Sequence, residues 1–336
     1  MLLTLLLACQ DYDVAVLDRT DAFAQDPADK VDILLVVDNS ASMMPYQNKL
    51  SQHFSAFIQY FVEANTDYHI GVTSTTLGEP LPPGTYDCTV PEFWPVPEDG
   101  ELAGPLIIAP GTPNAELQFE HLVQLGTCGS GAEAGMAAAL ASLTDRVADG
   151  SNAGFLREDA PLSIIFVSDE QDSSLLSPIG YAQQFQNLKR KLGRDSFVAS
   201  ALVSTTEEAI GCDDPDFPPN VGSRYIELAE LTGGIVGDIC SSDFEPIVQK
   251  LGLAASSLET TFYLSQEPSV GTLEVRIDEE EAIPCDAGIW YYDRVPGADG
   301  DEQPAIVFYD ETVPPPSAQI TVYYEYGGGV VEDFCP

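Results

Sequence analysis

Val31 to Val37, Val-Asp-Ile-Leu-Leu-Val-Val, is a near-continuous apolar run rich in β-branched side chains. That is the composition of a parallel strand buried on both faces, and such a strand needs a helical layer above and below it. The sequence supplies the layers. Leu50, Phe54, Phe57, Ile58 and Phe61 recur at helical spacing after Pro45, which suits a first turn. Tyr68 to Thr75 reads as a second strand, Met136, Ala139, Leu140, Leu143 and Val147 as a helical stripe, and Leu162 to Ser168 as a third strand. Tyr181, Phe185, Leu188 and Leu192 mark a helix, Phe197 to Val203 a strand, Ser223 to Leu231 a short helix, Gly234 to Ile239 a strand, and Phe244, Ile247, Val248 and Leu251 a last helix. This alternation predicts an α/β domain over residues 30–260, a doubly wound, mostly parallel sheet with helices on both faces.

Two stretches break the pattern. Residues 77–119 are rich in Pro and Gly and hold Cys88, Phe93 and Trp94, so they read as a long, pinned insertion. Beyond about residue 260 period-two strands take over, with Leu273, Val275 and Ile277, then Ile289 to Tyr292, Ile306 to Tyr309, and Ile320, Val322, Tyr324 and Tyr326. They predict a small, sandwich-like all-β module over residues 261–336. Residues 10–29 carry six Asp and little periodicity and read as an acidic tether.

The 336 residues hold 54 acidic and 13 basic side chains, so the net charge is 13 − 54 = −41. A surface this negative repels the phosphates of nucleic acids and the headgroups of an anionic membrane, and leaves cations as natural partners. Carboxylates also keep a surface hydrated in salty surroundings, an alternative origin for the same excess.

Met1 to Ala8 is an apolar run too short to span a bilayer but suited to the core of an export signal, and Cys9 follows it directly. Leu6-Leu7-Ala8-Cys9 resembles a bacterial lipoprotein lipobox, which implies that residues 1–9 are signal and lipidation site and that Cys9 carries the lipid. The expected location is the cell envelope, membrane-bound only through that anchor. Six cysteines remain, Cys88, Cys128, Cys212, Cys240, Cys285 and Cys335, an even set expected of an oxidising compartment. Sequential pairing, 88 to 128, 212 to 240 and 285 to 335, keeps each bridge within one subdomain.

Directly after the first buried strand comes Asp38-Asn39-Ser40-Ala41-Ser42, a carboxylate and two hydroxyls at the carboxyl end of a strand, where open α/β sheets place their ligand sites. Asp169 ends another buried strand. Between them Gly126-Thr127-Cys128-Gly129-Ser130-Gly131 opens the helix that carries Met136 and adds two more hydroxyls. Hard oxygens of this kind suit Mg²⁺, which is held by one or two carboxylates and keeps several waters. Read alone, Asp38 and Ser42 also fit a helix N-cap.

Together these pieces resemble the von Willebrand factor A domain with its metal-ion-dependent adhesion site, in a bacterial lipoprotein branch, over roughly residues 32–258. The resemblance implies Asp38, Ser40, Ser42, Ser130 and Asp169 as the metal set, with Thr127 as the alternative to Ser130. It implies Mg²⁺, with Mn²⁺ or Ca²⁺ possible, and a protein partner that presents a carboxylate to the ion. A structural envelope lipoprotein with a vestigial site is the competing expectation.

No catalytic constellation competes with it. His53, His69 and His121 are the only histidines, and the sequence has neither a Gly-x-Ser-x-Gly elbow nor a His-Glu-x-x-His pair, so no enzyme is expected. The acidic stretches at Asp213–Asp216 and Asp299–Glu302 lack the spacing of a calcium-binding EF-hand loop and read as solvated turns. Trp290, Tyr291 and Tyr292 read as strand packing rather than as a binding platform.

Overall fold

The computed structural model describes residues 16–25, 29–63, 65–78, 88–104, 107–130, 133–192, 196–206, 220–256, 258–285, 288–297, 301–309 and 312–327. The strands, in chain order, are β1 (Leu17–Ala24), β2 (Lys30–Val37), β3 (Asp67–Ser74), β4 (Leu162–Ser168), β5 (Phe197–Val203), β6 (Val236–Asp238), β7 (Thr261–Tyr263), β8 (Glu274–Ile277), β9 (Glu280–Ala282), β10 (Trp290–Pro296), β11 (Glu302–Phe308) and β12 (Gln319–Tyr326). The helices are α1 (Met44–Ser51), α2 (Phe54–Glu63), α3 (Ala115–Val123), α4 (Gly135–Leu143), α5 (Asp145–Asp149), α6 (Pro178–Leu188), α7 (Ser223–Thr232) and α8 (Glu245–Ser256). They fall into two compact units, one within residues 27–258, the other joining the described residues up to 25 to those from Glu259 onward.

In the first unit five parallel strands run in the order β3-β2-β4-β5-β6. Side chains of β2 alternate between two cores. Ile33, Leu35 and Val37 pack with Leu50, Phe57, Phe61, Phe119, Val248 and Leu251, from α1, α2, α3 and α8. Leu34 and Val36 pack with Met136, Phe166, Tyr181, Phe185 and Tyr225, so residues of α4, α6 and α7 cover the other face. Each of these side chains contributes about 1.5–3 kcal/mol of burial, which accounts for the uninterrupted apolar run of β2.

At its amino end β2 carries a buried ionic group. Asp32, 0% exposed, accepts from the Arg157 backbone N–H at 2.8 Å, from Arg157 Nε at 2.7 Å and from Lys189 Nζ at 2.9 Å.

Some expectations need correction. The single helix expected around Leu50 to Phe61 is two, α1 and α2, separated by a turn at Gln52 and His53. The strand expected over 234–239 is reduced to β6, three residues on the sheet edge. Within 77–119, Ile108 bridges to Ile70 and the segment ends in α3, so this part of the insertion is docked on the sheet. Its disulfide, Cys88–Cys128, is in place, as expected of an exported protein in an oxidising compartment. Cys240 and Cys285 are also disulfide-bonded, while Cys9, Cys212, Cys335 and the Asp213–Asp216 stretch lie outside the described residues.

The larger correction concerns residues 10–29. Leu17–Ala24 is not tether but strand β1, paired antiparallel along its whole length with β12. Asp and Arg at alternate positions hide its period, because the acid inside it is satisfied rather than solvated. Asp21 accepts from Ser265 N at 2.8 Å, Ser265 Oγ at 2.7 Å and Tyr324 Oη at 2.7 Å.

This second unit holds two antiparallel sheets, β1-β12-β8-β9 and β10-β11-β7. Phe262, Trp290, Ile306 and Phe308 of one sheet share a core with Val275, Ile320, Val322 and Tyr324 of the other. Trp290 is buried there and its indole N–H donates to the Ala282 carbonyl at 2.8 Å, which is core packing rather than a platform. Among the described residues no helix is long and apolar enough to cross a membrane.

Candidate functional site

Three loops meet beyond the carboxyl ends of β2, β3 and β4. The first leaves β2 at Asp38, whose backbone N–H still donates to Val167 O at 2.8 Å, extending the sheet by one bond. Its carboxylate then folds the chain back, with Oδ1 accepting from the Ser40 backbone N–H at 2.7 Å. The other oxygen accepts from Ser168 Oγ, the last residue of β4, at 2.6 Å. A second acid closes the arrangement. Ser42 Oγ donates to Asp169 Oδ1 at 3.0 Å and stands 3.3 Å from Ser40 Oγ. Asp38, Ser40, Ser42 and Asp169, distant in sequence, therefore form one connected oxygen cluster.

The second loop, residues 126–134, is locked to the first by a residue that periodicity assigns only to a helix. Gln47, 0% exposed in α1, donates to Asp38 O and to Gly126 O, both at 2.9 Å, and accepts from Gly126 N–H at 3.2 Å. Gly129 sits against Asn39, its N–H donating to Asn39 O at 2.7 Å; a Cβ there would lie 2.3 Å from Asn39 Oδ1, so only glycine fits. Ser130 is placed by its backbone N–H, which donates to Thr76 Oγ1 at 3.1 Å, and that hydroxyl donates in turn to Asn39 Oδ1 at 2.8 Å. Thr127 faces the insertion: its N–H donates to Thr89 O at 2.8 Å and its hydroxyl accepts from Thr89 N–H at 2.9 Å, beside the Cys88–Cys128 bridge.

The third loop, residues 168–174, also positions α4. Asp172 Oδ1 accepts from Met136 N–H at 3.2 Å and Ser174 Oγ from Ala137 N–H at 3.0 Å, so side chains from this loop cap the first turn of α4. Arg224 of α7 holds Asp172 at 3.0 Å. Asp172 is thus charge-paired and structural, unlike the acids beside it.

A third buried carboxylate, absent from the expected set, lies just before the start of α4. Glu133 is 0% exposed; Thr75 Oγ1 donates to its Oε2, and its Oε1 has no hydrogen-bond partner. Its main chain is fixed by Ser173 N–H, which donates to Glu133 O at 2.6 Å, and by Ala134 N–H donating to Thr75 O at 3.0 Å. One signal in the sequence marks it: a lone acid in the run Gly131-Ala132-Glu133-Ala134-Gly135, immediately before an apolar helix, where no solvent face requires a charge.

Electrostatically the site is under-compensated. Burial, and then the charge of Asp169, push the Asp38 carboxyl up to about 7. Burial raises Asp169 as well, against the Ser42 hydrogen bond that lowers it. Burial followed by the charge of Asp38 drives Glu133 up to about 10, and Glu170 is raised by burial and by Asp169. Among the described residues none of these four acids has a basic partner, so what the cluster lacks is positive charge. Among the described residues no three His, Cys, Asp or Glu side chains alone form a metal-holding group. The donor set here is mixed instead, carboxylates joined through serine hydroxyls. That set fits a hard divalent cation.

No protein-family model matches the chain, and no curated protein matches its sequence. Similar solved structures include the pilus adhesin SpaC of Lactobacillus rhamnosus GG in its open conformation, at 11% identity and a TM-score of 0.45, covering 92% of this chain and 40% of that one. Proximal thread matrix protein 1 of the mussel byssus aligns at 9% identity and a TM-score of 0.41, covering 72% of this chain and 51% of that one. The chain spans about half or less of the length of either structure.

Proposed function

We propose that the α/β unit is a cation-dependent protein-binding module of the von Willebrand factor A type, doubly wound, carried by an exported lipoprotein of the cell envelope anchored through Cys9. One observation carries this reading: Asp38, Ser40, Ser42 and Asp169 are joined by hydrogen bonds into a single cluster at the strand ends, with no basic side chain among the described residues to neutralise it. Asp38 and Asp169 would supply charge to Mg²⁺, with Mn²⁺ or Ca²⁺ as substitutes, and Ser40 and Ser42 neutral oxygens. A bound cation supplies a coordination position that an oxygen ligand on a partner protein fills, a carboxylate in the sequence reading. The chain's own part is to hold the loops still, through Gln47, Gly129 and the Asp172 cap, so that the oxygens are preorganised. The segment that follows Asp169 in the chain also presents apolar side chains, with Leu175 99% exposed and Leu176 and Ile179 exposed after it, which suits contact with a protein.

Calorimetric titration of MgCl₂ and MnCl₂ into the lipid-free protein tests it, with Asp38→Asn alongside. Saturable binding that the variant loses while staying folded is the expected result. Absence of binding in the unaltered protein overturns the cation reading and leaves a structural envelope protein.

A further inference from the structure

The α/β unit carries a second surface feature that the strand-end cluster does not use. Val90, Phe93 and Trp94 are 54%, 43% and 36% exposed on the segment that leads away from the Cys88–Cys128 bridge. We infer that they form a docking surface for a basic segment of a partner protein, whose Arg and Lys side chains lie over the two rings. The inference does not depend on a cation at Asp38 and Asp169.

The rings are held in place from behind. Phe93 stacks on His121 of α3, with centroids 3.4 Å apart and planes 13° from parallel, so one face is covered and the exposed area lies on the other side. Trp94 rests against Gly104, where a Cβ would come within 2.9 Å of two indole carbons and 2.7 Å of Leu122 Cδ2; glycine, at a φ of +57°, leaves that room. The backbone is fixed at both ends. Thr127 N–H donates to Thr89 O at 2.8 Å beside the disulfide, and Ser74 Oγ donates to Pro97 O at 3.3 Å. Pro91, Pro95 and Pro97 stiffen the stretch between. Aromatic side chains exposed on a fixed backbone lose little freedom when a partner covers them.

The surrounding charge selects the partner. Residues 88–123 hold six acids and no Lys or Arg. Asp99 and Glu101 pair with Arg146 and Glu116 accepts from Ser55, but Glu92, Glu98 and Glu120 have no basic partner among the described residues. Glu92 and Glu120 directly precede Phe93 and its stacking partner His121. Aromatic faces carry the negative end of the ring quadrupole, so the rings and the carboxylates attract the same sign of charge. An anionic segment is repelled. A bare metal ion finds no chelating group, because among the described residues His, Cys, Asp and Glu form none. A guanidinium or ammonium on an aliphatic stem suits all of it: the charge meets the ring faces and the carboxylates, and the stem covers apolar surface such as Val90.

Fluorescence anisotropy tests this on the full chain, with one labelled peptide alternating Arg and Leu and another alternating Glu and Leu. The titrations are run in EDTA, so that success or failure of the cation site does not enter. Phe93→Leu with Trp94→Leu keeps apolar packing and removes the rings. Glu92→Gln with Glu120→Gln keeps side-chain size and removes charge, and Tyr263→Leu, at an aromatic residue 40% exposed in the other unit, is the control. Expected is saturable binding of the Arg peptide, weakened about tenfold by the ring variant and about threefold by the charge variant, and unchanged by Tyr263→Leu. Unaltered affinity in either the ring or the charge variant, folded by circular dichroism, reduces the attraction to a diffuse effect of net charge and overturns the docking surface. Equal binding of the Glu peptide, or no binding of the Arg peptide, overturns it as well.

Discussion

Asp32 and Asp38 stand at opposite ends of the same strand, both 0% exposed, and meet opposite surroundings. At the amino end Asp32 is enclosed by Arg157 and Lys189, at 2.7 and 2.9 Å, and by the Arg157 backbone N–H, so charge and hydrogen-bond demand are met within the chain. At the carboxyl end Asp38 has two short donors, Ser40 N and Ser168 Oγ, and its charged neighbours are other acids. The first group is complete and holds the fold; the second has no positive partner among the described residues. A buried carboxylate thus declares its role by its partners, not by its depth.

The largest effect that tests this contrast belongs to the amino end. Asp32→Ala leaves the Lys189 ammonium and the Arg157 guanidinium buried beside each other, and is expected to cost about 3–5 kcal/mol in urea unfolding. Asp38→Asn keeps one acceptor oxygen for the Ser40 N–H, turns an amide N–H₂ toward Ser168 Oγ, which can accept from it, and removes an uncompensated charge, so the cation-free protein should be no less stable at pH 8 while losing cation affinity. Equal destabilisation by the two changes would erase the distinction between the ends.

A pH series in EDTA comes next. The folded pKa of Asp38, about 7, lies above its ordinary value of 3.8, so between the two the folded form holds a proton that the unfolded chain has released. Its contribution is fully present below about 4 and is lost as pH rises through about 7. Cation-free stability should therefore fall across that window and Mg²⁺ affinity should rise over it, because the ion binds the deprotonated form. A flat affinity profile between pH 5 and 8 would contradict this.

The smallest effect lies in the β unit. Tyr324→Phe removes the 2.7 Å donor to Asp21, an acid held below its ordinary range by donors at Ser265 and Tyr324 that outweigh its burial. About 1 kcal/mol of stability should be lost, with cation affinity unchanged. A change in affinity would show that the acids of the two units are not independent.

The parallel strands, the helical stripes and the period-two C-terminal strands were legible because hydrophobic periodicity is a local record of which face is buried. Asp38 and Asp169 were legible for a related reason, since each ends an apolar run and so must lie at a strand end. Strand β1 was not legible. Its alternate positions carry Asp21 and Arg19, and the inward acid passes for a solvated one until Ser265 and Tyr324, more than 240 residues away in sequence, supply its donors. Gln47 and Glu133 were hidden in the same way, one inside a helical stripe and one in a Gly and Ala run. The sequence by itself determined most of the strands and helical stripes of the parallel sheet and the strand-end acids. Only the tertiary structure decided which buried carboxylates are neutralised by this chain and which are left facing one another. Burial follows from periodicity, but the charge around a carboxylate depends on which distant loops the fold brings to it.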